Sequence, residues 1–411
     1  MADGDPEAPK RPLRRRAQRK LILAVVLAAA LIAGVVTTVL SGERTSQPPD
    51  TFYVVPDPLP EGNPGMVLRS RAIADPPAGT RGWKLLYISR SHAGKRAALS
   101  ALVFVPDRAA AANGRNVVVF AHPAVGVATR CAPSLDRSSW PKIAGLMRFL
   151  RAGDAVVVPD YEGLGTAGIH PLFVGIAQGR ATLDAVRAAN LFEPAAASSR
   201  FVAWGSSLGG QIALFAGQEA VGYAPELELA GVAAAAPTSD LGRLLEVNRE
   251  TIPGRILAAY LLSSWARAYP GVRPAEILTA GARAAVDRLA KLCVRAGSGT
   301  IDPNVARIAQ DVSFTGKRPF EVQPLRRLLA RNSPGAKSIP APILITQGTR
   351  DQLVRTALTR RLVRRLCSQD ARVQYRVSRG VAHRDVAQKT APYAANWIAK
   401  RFAGRAARTT C

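Results

Sequence analysis

Residues 200–218, RFVAWGSSLGGQIALFAGQ, constrain the fold of this chain more than any other stretch. Phe201, Val202, Ala203 and Trp204 form a short apolar run suited to a buried strand, and Ile212, Leu214 and Phe215 fit a helix beyond it. Between them lies Gly205-Ser206-Ser207-Leu208-Gly209, a G-x-S-x-G pentapeptide. A strand that turns this sharply into a helix pushes the central serine outward and brings the two elements close. The residues two before and two after that serine must therefore be small. Gly205 and Gly209 meet this requirement for Ser207, whereas Ser206 would have Trp204 and Leu208 in those places. Ser207 is the candidate nucleophile; the bland alternative is a serine in a glycine-rich helix entry.

A serine hydroxyl is a weak nucleophile near neutral pH and needs a general base oriented by a carboxylate. The chain has four histidines, His92, His122, His170 and His383. Where an elbow carries the nucleophile, the base comes last in chain order, and His383 alone lies beyond Ser207, at the end of Ser378-Arg379-Gly380-Val381-Ala382-His383, which reads as a glycine-containing loop directly after a strand. For the acid, Asp351 follows the apolar run 343–346 through Gln347-Gly348-Thr349-Arg350, at the carboxyl edge of a sheet where catalytic groups collect. Asp240, one strand earlier, competes with it. Asp370 follows a helix, and Asp385 is too near His383 in sequence to orient it. The oxyanion formed on attack needs two backbone donors, one of them the amide of Leu208. The other belongs to the loop His122-Pro123-Ala124-Val125-Gly126.

Taken in order, residues 1–20 carry Lys10, Arg11, Arg14, Arg15, Arg16, Arg19 and Lys20, and residues 21–40 carry no charge. This pattern predicts a basic cytoplasmic N-terminus and a transmembrane anchor that sends the rest outward. A cleaved signal segment is the alternative, although the apolar run exceeds a usual signal core and Thr38-Val39-Leu40-Ser41 is a poor cleavage site. Arg14-Arg15-Arg16 also admits a twin-arginine signal. Residues 41–77 are rich in proline and read as a linker.

Beyond it, runs at 83–90 and 98–105 read as an antiparallel pair of strands. Strands at 116–121, 155–159, 201–204 and 230–236 then alternate with helices at 140–151 and 173–191. Strands at 342–346 and 373–377 flank a helix at 354–366, and a last helix covers 386–402. This alternation predicts an α/β domain over 78–411 with a mostly parallel central sheet and helices on both faces. Between 241 and about 324 strand signals vanish, and helices at 241–248, 255–268, 274–292 and 303–311 suggest an inserted lid or cap. Its second helix carries Ile256, Leu257, Tyr260, Leu261, Leu262 and Trp265, expected mainly to pack on the domain.

The net charge is +27 and the isoelectric point about 11.1. The basic residues are scattered, and no zinc-finger spacing, basic-region heptad or aromatic RNA-binding motif accompanies them, so no nucleic-acid partner is expected. The charge fits a membrane surface or plain composition. Four cysteines, Cys131, Cys293, Cys367 and Cys411, are an even number in a chain expected to leave the cytoplasm; bridges are anticipated, with three pairings open. No cysteine–histidine cluster suggests a metal, and neither a cofactor nor an obligate protein partner is expected.

The elbow stands among further blocks: Cys131-Ala132-Pro133-Ser134, Asp160-Tyr161-Glu162-Gly163-Leu164-Gly165, Gly179-Arg180 with Leu183-Asp184-Ala185-Val186-Arg187, and Gly231-Val232-Ala233-Ala234-Ala235-Ala236-Pro237. With these the chain resembles the secretory lipase family of α/β-hydrolases from about residue 50 to its end. The resemblance implies extracytoplasmic hydrolysis of carboxyl esters of acylglycerols or related lipids by Ser207, Asp351 and His383, under a helical lid. It also implies Val125 as the second oxyanion amide and the pairings Cys131–Cys293 and Cys367–Cys411. Two departures stand out. Relatives commonly have His-Gly-Thr at His122-Pro123-Ala124, where proline removes an amide donor, and a bulky polar pair at Ser206 and Leu208. Alternatives to the lipid esterase are an acyltransferase or peptidase on the same triad, or a non-catalytic lipid-binding relative.

Arg355, Arg360, Arg361, Arg364 and Arg365 are expected to form a solvated helix face. Their neutralisation should leave binding to anionic vesicles unchanged; salt-sensitive binding that their replacement abolishes would overturn this expectation.

Overall fold

Short apolar runs that are buried on both sides pair most stably side by side, and the strands do so in a single sheet. They are β1 (Val67–Ala72), β2 (Thr80–Arg90), β3 (Arg96–Pro106), β4 (Arg115–Ala121), β5 (Ala155–Pro159), β6 (Ala197–Ser206), β7 (Glu228–Ala235), β8 (Ile343–Gly348) and β9 (Val373–Ser378). The computed structural model describes Met1, residues 50–294 and residues 301–411. The basic segment, the apolar segment 21–40 and the start of the linker thus lie outside the described residues, Met1 apart. Among the described residues no helix is long and apolar enough to cross a membrane.

The order across the nine strands is β1-β2-β3-β5-β4-β6-β7-β8-β9. β1, β2, β3 and β5 pair antiparallel in succession, and every pairing from β5 to β9 is parallel. The chain steps from β4 outward to β5, then returns past β4 to β6. At that reversal the carboxyl ends of β4 and β6 lie side by side, with Ala121 opposite Gly205. A crevice at such a switch point is where α/β sheets place their ligands.

Helices cover both faces, as the alternation predicts. Between strands lie α1 (Leu146–Ala152), α2 (Gly175–Leu191) and α3 (Leu208–Tyr223), and after β8 come α9 (Thr356–Cys367) and α10 (His383–Phe402). On β7, Val232 meets Gly217 of α3, while its neighbour Gly231 meets Trp397 of α10. Adjacent strand residues point to opposite faces, so α3 and α10 sandwich the sheet. Trp204, fully buried on the α10 side, donates its indole N–H to the Ala144 carbonyl just before α1 at 2.8 Å.

The insertion between β7 and β8 comprises α4 (Leu241–Asn248), α5 (Ile252–Ala268), α6 (Ala282–Ala290), α7 (Pro303–Gln310) and α8 (Leu325–Arg331). It therefore runs past the expected limit at 324. The helix expected over 274–292 is broken: a 3-10 turn at Pro274–Glu276 and an isolated pairing of Leu278 with Phe314 precede α6. The apolar face of α5 is buried, with Trp265 Nε1 donating to Leu172 O at 2.8 Å and Ser264 Oγ to His170 O at 2.7 Å.

The folded part starts earlier than the sequence indicates. Phe52 and Tyr53 are buried with Leu86 and Ala98 beside β2 and β3, and β1 falls within the stretch read as linker. Its residues VLRSRA are too polar to signal a strand; an edge strand needs only a partner's backbone, here β2.

Both implied disulfides form, Cys131–Cys293 and Cys367–Cys411. The five arginines of the α9 region are exposed while Leu358, Leu362, Val363 and Leu366 are buried. Removing the Cys367–Cys411 bridge, whose partners are 44 residues apart, should cost about 2–4 kcal/mol by freeing the unfolded chain. Urea titration of a C367S/C411S variant measures it, and a loss under about 1 kcal/mol would show that the tail is held by its other contacts.

Candidate active site

Ser207 sits between β6 and α3 at φ 55° and ψ −122°, a left-handed backbone that a residue with a side chain adopts only when its surroundings enforce it. The enforcement is visible. Ser207 N donates to Ala235 O at 2.9 Å, while Ser207 O accepts from Gln211 N and Thr238 N, each at 3.1 Å. A Cβ on Gly205 would lie 2.3 Å from Gly209 O, and one on Gly209 only 1.9 Å from Ala121 O. The small-residue requirement read from the sequence is thus a backbone-on-backbone contact.

Asp351 and His383 are brought together by a similar approach. A Cβ on Gly348 would lie 2.2 Å from Val381 O, so the end of β8 touches the loop before α10. Thr349 N donates to Ser378 O and Arg350 N to Val381 O, both at 3.0 Å. Asp351 is buried, and its Oδ1 accepts from Leu353 N at 3.1 Å and Val354 N at 2.8 Å. Its Oδ2 accepts from Gln347 Nε2 at 3.1 Å and meets His383 Nδ1 at 2.8 Å.

A carboxylate only accepts, so Nδ1 carries the proton and Nε2 of the neutral ring is left as acceptor. Ser207 Oγ lies 2.9 Å from that Nε2. His383 is not on a loop, as the sequence suggests; it is the first residue of α10, one position after Ala382 at the cap.

The competing acid Asp240 sits instead at the start of α4, 3.7 Å from Arg361. Asp385 is 3.6 Å from Arg384. The other histidines are accounted for elsewhere: His92 pairs with Glu162 at 3.0 Å, and His170 is buried beside Tyr161, pushed down to about 3 by burial. Sequence reasoning missed Gln347. Its amide N–H group also reaches Val354 O at 2.9 Å, and its oxygen accepts from Thr359 Oγ1 at 2.6 Å. A lone amide at the end of the apolar run ILIT was the signal for it.

Of the two candidate oxyanion donors, Leu208 is the first residue of α3, and an N–H in that position has no acceptor within its own helix. Val125 lies in the loop where His122 Nδ1 meets Pro123 O at 2.7 Å. Burial pushes His122 down to about 4, so its ring is neutral and Nδ1 is the donor. A cavity of about 290 Å³ opens beside this loop, lined among others by His122, Val125, Ile143, Val158, Ser206 and Val294.

The profile of the secretory lipase family matches residues 142–409. The chain belongs to the secretory lipase family. A probable inactive lipase of Mycobacterium tuberculosis is 25% identical over 87% of this chain and 82% of its own length. A secreted triacylglycerol lipase of Malassezia globosa is 26% identical, covering 79% and 74%. Candida antarctica lipase A superposes with a TM-score of 0.73 at 18% identity over 89% of both chains. The fold is accordingly that of an α/β-hydrolase, and the family is one of ester-bond hydrolases acting on lipids or other esters.

Gly209→Ala should destabilise the protein by about 3 kcal/mol or more through overpacking. Gly222→Ala, in the same helix but with nothing within 4 Å of its Cβ, should be stabilising by about 0.5–1 kcal/mol. Thermal melts of the two variants check this; equal melting temperatures would contradict the close-contact account.

Proposed function

We propose that this chain is an extracytoplasmic serine hydrolase that cleaves carboxyl esters of lipids through an acyl-enzyme on Ser207. The observation that carries the reading is the unbroken run of hydrogen bonds from Ser207 Oγ to His383 Nε2 and from His383 Nδ1 to Asp351 Oδ2, at 2.9 and 2.8 Å. Ser207 Oγ attacks the ester carbonyl carbon while its proton passes to His383 Nε2. Asp351 stabilises the imidazolium so formed, and the amides of Leu208 and Val125 bind the oxyanion. Collapse expels the alcohol, which takes the proton from His383. A water, deprotonated by the same nitrogen, then releases the acid and restores the serine.

Membership of a secretory family and the order of basic and apolar segments in residues 1–40 support action outside the cytoplasm, either on an N-terminal membrane anchor or free after cleavage. A relative named as probably inactive makes a non-catalytic binder the reading to exclude. The intact hydrogen-bonded set of Ser207, His383 and Asp351 speaks against it here.

A fluorophosphonate probe should label the folded protein and fail to label Ser207→Ala. On p-nitrophenyl esters of graded length, Ser207→Ala should lower kcat by roughly a millionfold, and a steep rise of wild-type activity at a lipid interface marks a lipase rather than an esterase. Absence of labelling in folded wild-type protein would sink the hydrolase reading.

A further inference from the structure

The helical insertion reaches back to the loop that carries Val125. Gly126 and Cys293 pair as an isolated antiparallel bridge, and Val294 N donates to Val125 O at 2.8 Å. Cys293 is also disulfide-bonded to Cys131, a few residues beyond Val125. Gly126 is held at φ +117°, where a Cβ would lie 2.8 Å from Leu292 O. That same carbonyl accepts from Tyr260 Oη of α5 at 3.0 Å, and the guanidinium of Arg130 donates to Lys291 O. The 291–294 segment is therefore fastened to α5 on one side and to the loop on the other.

On the near side of Val125, the buried, neutral His122 holds Pro123 O through Nδ1 at 2.7 Å. The peptide that bears the Val125 N–H thus lies between two fixed carbonyls, Pro123 O and Val125 O. With both neighbouring peptide planes held, the motion left to it is a flip about its own axis, which would turn φ of Val125 by about 180°. Val125 is not among the residues with positive φ, so the flip would carry a β-branched residue into a region it avoids. Pro123 offers no N–H of its own, which concentrates the demand on Val125.

We infer that the insertion completes the oxyanion hole: the Val294-to-Val125 hydrogen bond, secured by the Cys131–Cys293 bridge, holds the second donor in place, and Cys293 and Val294 are positioning residues. The inference rests on the hydrolase reading above. It predicts a loss of transition-state stabilisation with substrate binding retained. Val294→Pro, which lacks the donor N–H, and a C131A/C293A variant should each lower kcat by about 10- to 100-fold, below the roughly 100- to 1000-fold of a donor removed outright because Val125 N–H is loosened rather than lost. KM should stay within about threefold.

The loss should be equal on p-nitrophenyl acetate and octanoate, because Cys131, Cys293 and Val294 also line the cavity beside Ser206 and a mere cavity wall would affect the longer ester alone. A C367A/C411A control should lower the melting temperature and leave kcat unchanged. If the variants do not fold, wild-type protein is titrated with dithiothreitol instead, with alkylation and mass spectrometry identifying which bridge opens. Activity should then fall in step with Cys131–Cys293. Unchanged kcat, a loss confined to octanoate, or an equal loss in the control overturns the inference while wild-type labelling and hydrolysis still uphold the hydrolase reading. A wild type that neither reacts with the probe nor hydrolyses ester sinks both.

Discussion

The elbow at Ser207 depends on how closely two backbones approach at the ends of β4 and β6. Because Ala121 and Gly205 stand opposite in a parallel register, the turn into α3 passes directly over the carbonyl of Ala121, and Gly209 has room for no side chain. This proximity sets the N-terminus of α3 beside the loop that follows β4. The half-buried Ser207 and the amide of Leu208 therefore stand next to the stretch that runs from His122 to Val125. The strain at Ser207 persists because the bonds of Ala235, Gln211 and Thr238 to its backbone over-determine it. Nothing about the serine side chain itself is needed to build the turn.

The sequence blocks that carried the family resemblance mostly serve this framework rather than the chemistry. Asp160, buried and pushed up to about 6 by burial despite its hydrogen bonds, accepts from Ser100 Oγ at 2.6 Å and from Ser134 N at 3.2 Å, and also bonds the Ser134 hydroxyl. It ties the stretch after Cys131 to the end of β5. Asp184 accepts from Ser89 Oγ at 2.7 Å and from Arg187 at 2.8 Å, and Arg187 continues to Glu226. That group fastens α2 to β2 and to the end of α3. Buried acids of this kind are tolerable only when such donors surround them, which makes their neighbourhoods as recognisable in a sequence as a catalytic motif.

The legible features were those where one local rule dominates. The elbow requires small residues at fixed offsets, and the scarcity of histidine leaves a single candidate base beyond Ser207. The central strands are apolar on both faces and announce themselves. What was illegible depends on partners distant in the chain. β1 is a strand because β2 offers it an edge, and the helix expected over 274–292 breaks where Leu278 pairs with Phe314 across the insertion. Gly380 signals a turn and so suggests a loop at His383, whereas the helix begins at that residue with no conventional side-chain cap to mark its start. Gln347 is illegible in sequence because it acts by holding Asp351, a contact that only the tertiary arrangement defines.

The same contacts limit how the insertion can behave as a lid. Its helix α5 is pinned to the 170–172 segment through Ser264 and Trp265, and to the 291–294 segment through Tyr260. That segment is in turn bonded to the Val125 loop. Any opening that swung α5 away as a rigid flap would break the bonds of Tyr260, Ser264 and Trp265 and pull on the loop that carries Val125. Under the proposed hydrolase function, access to Ser207 must therefore leave α5 and the Cys131–Cys293 tie in place. An insertion that looks like a cap in sequence is, at Cys293 and Val294, a wall of the cavity beside Ser206.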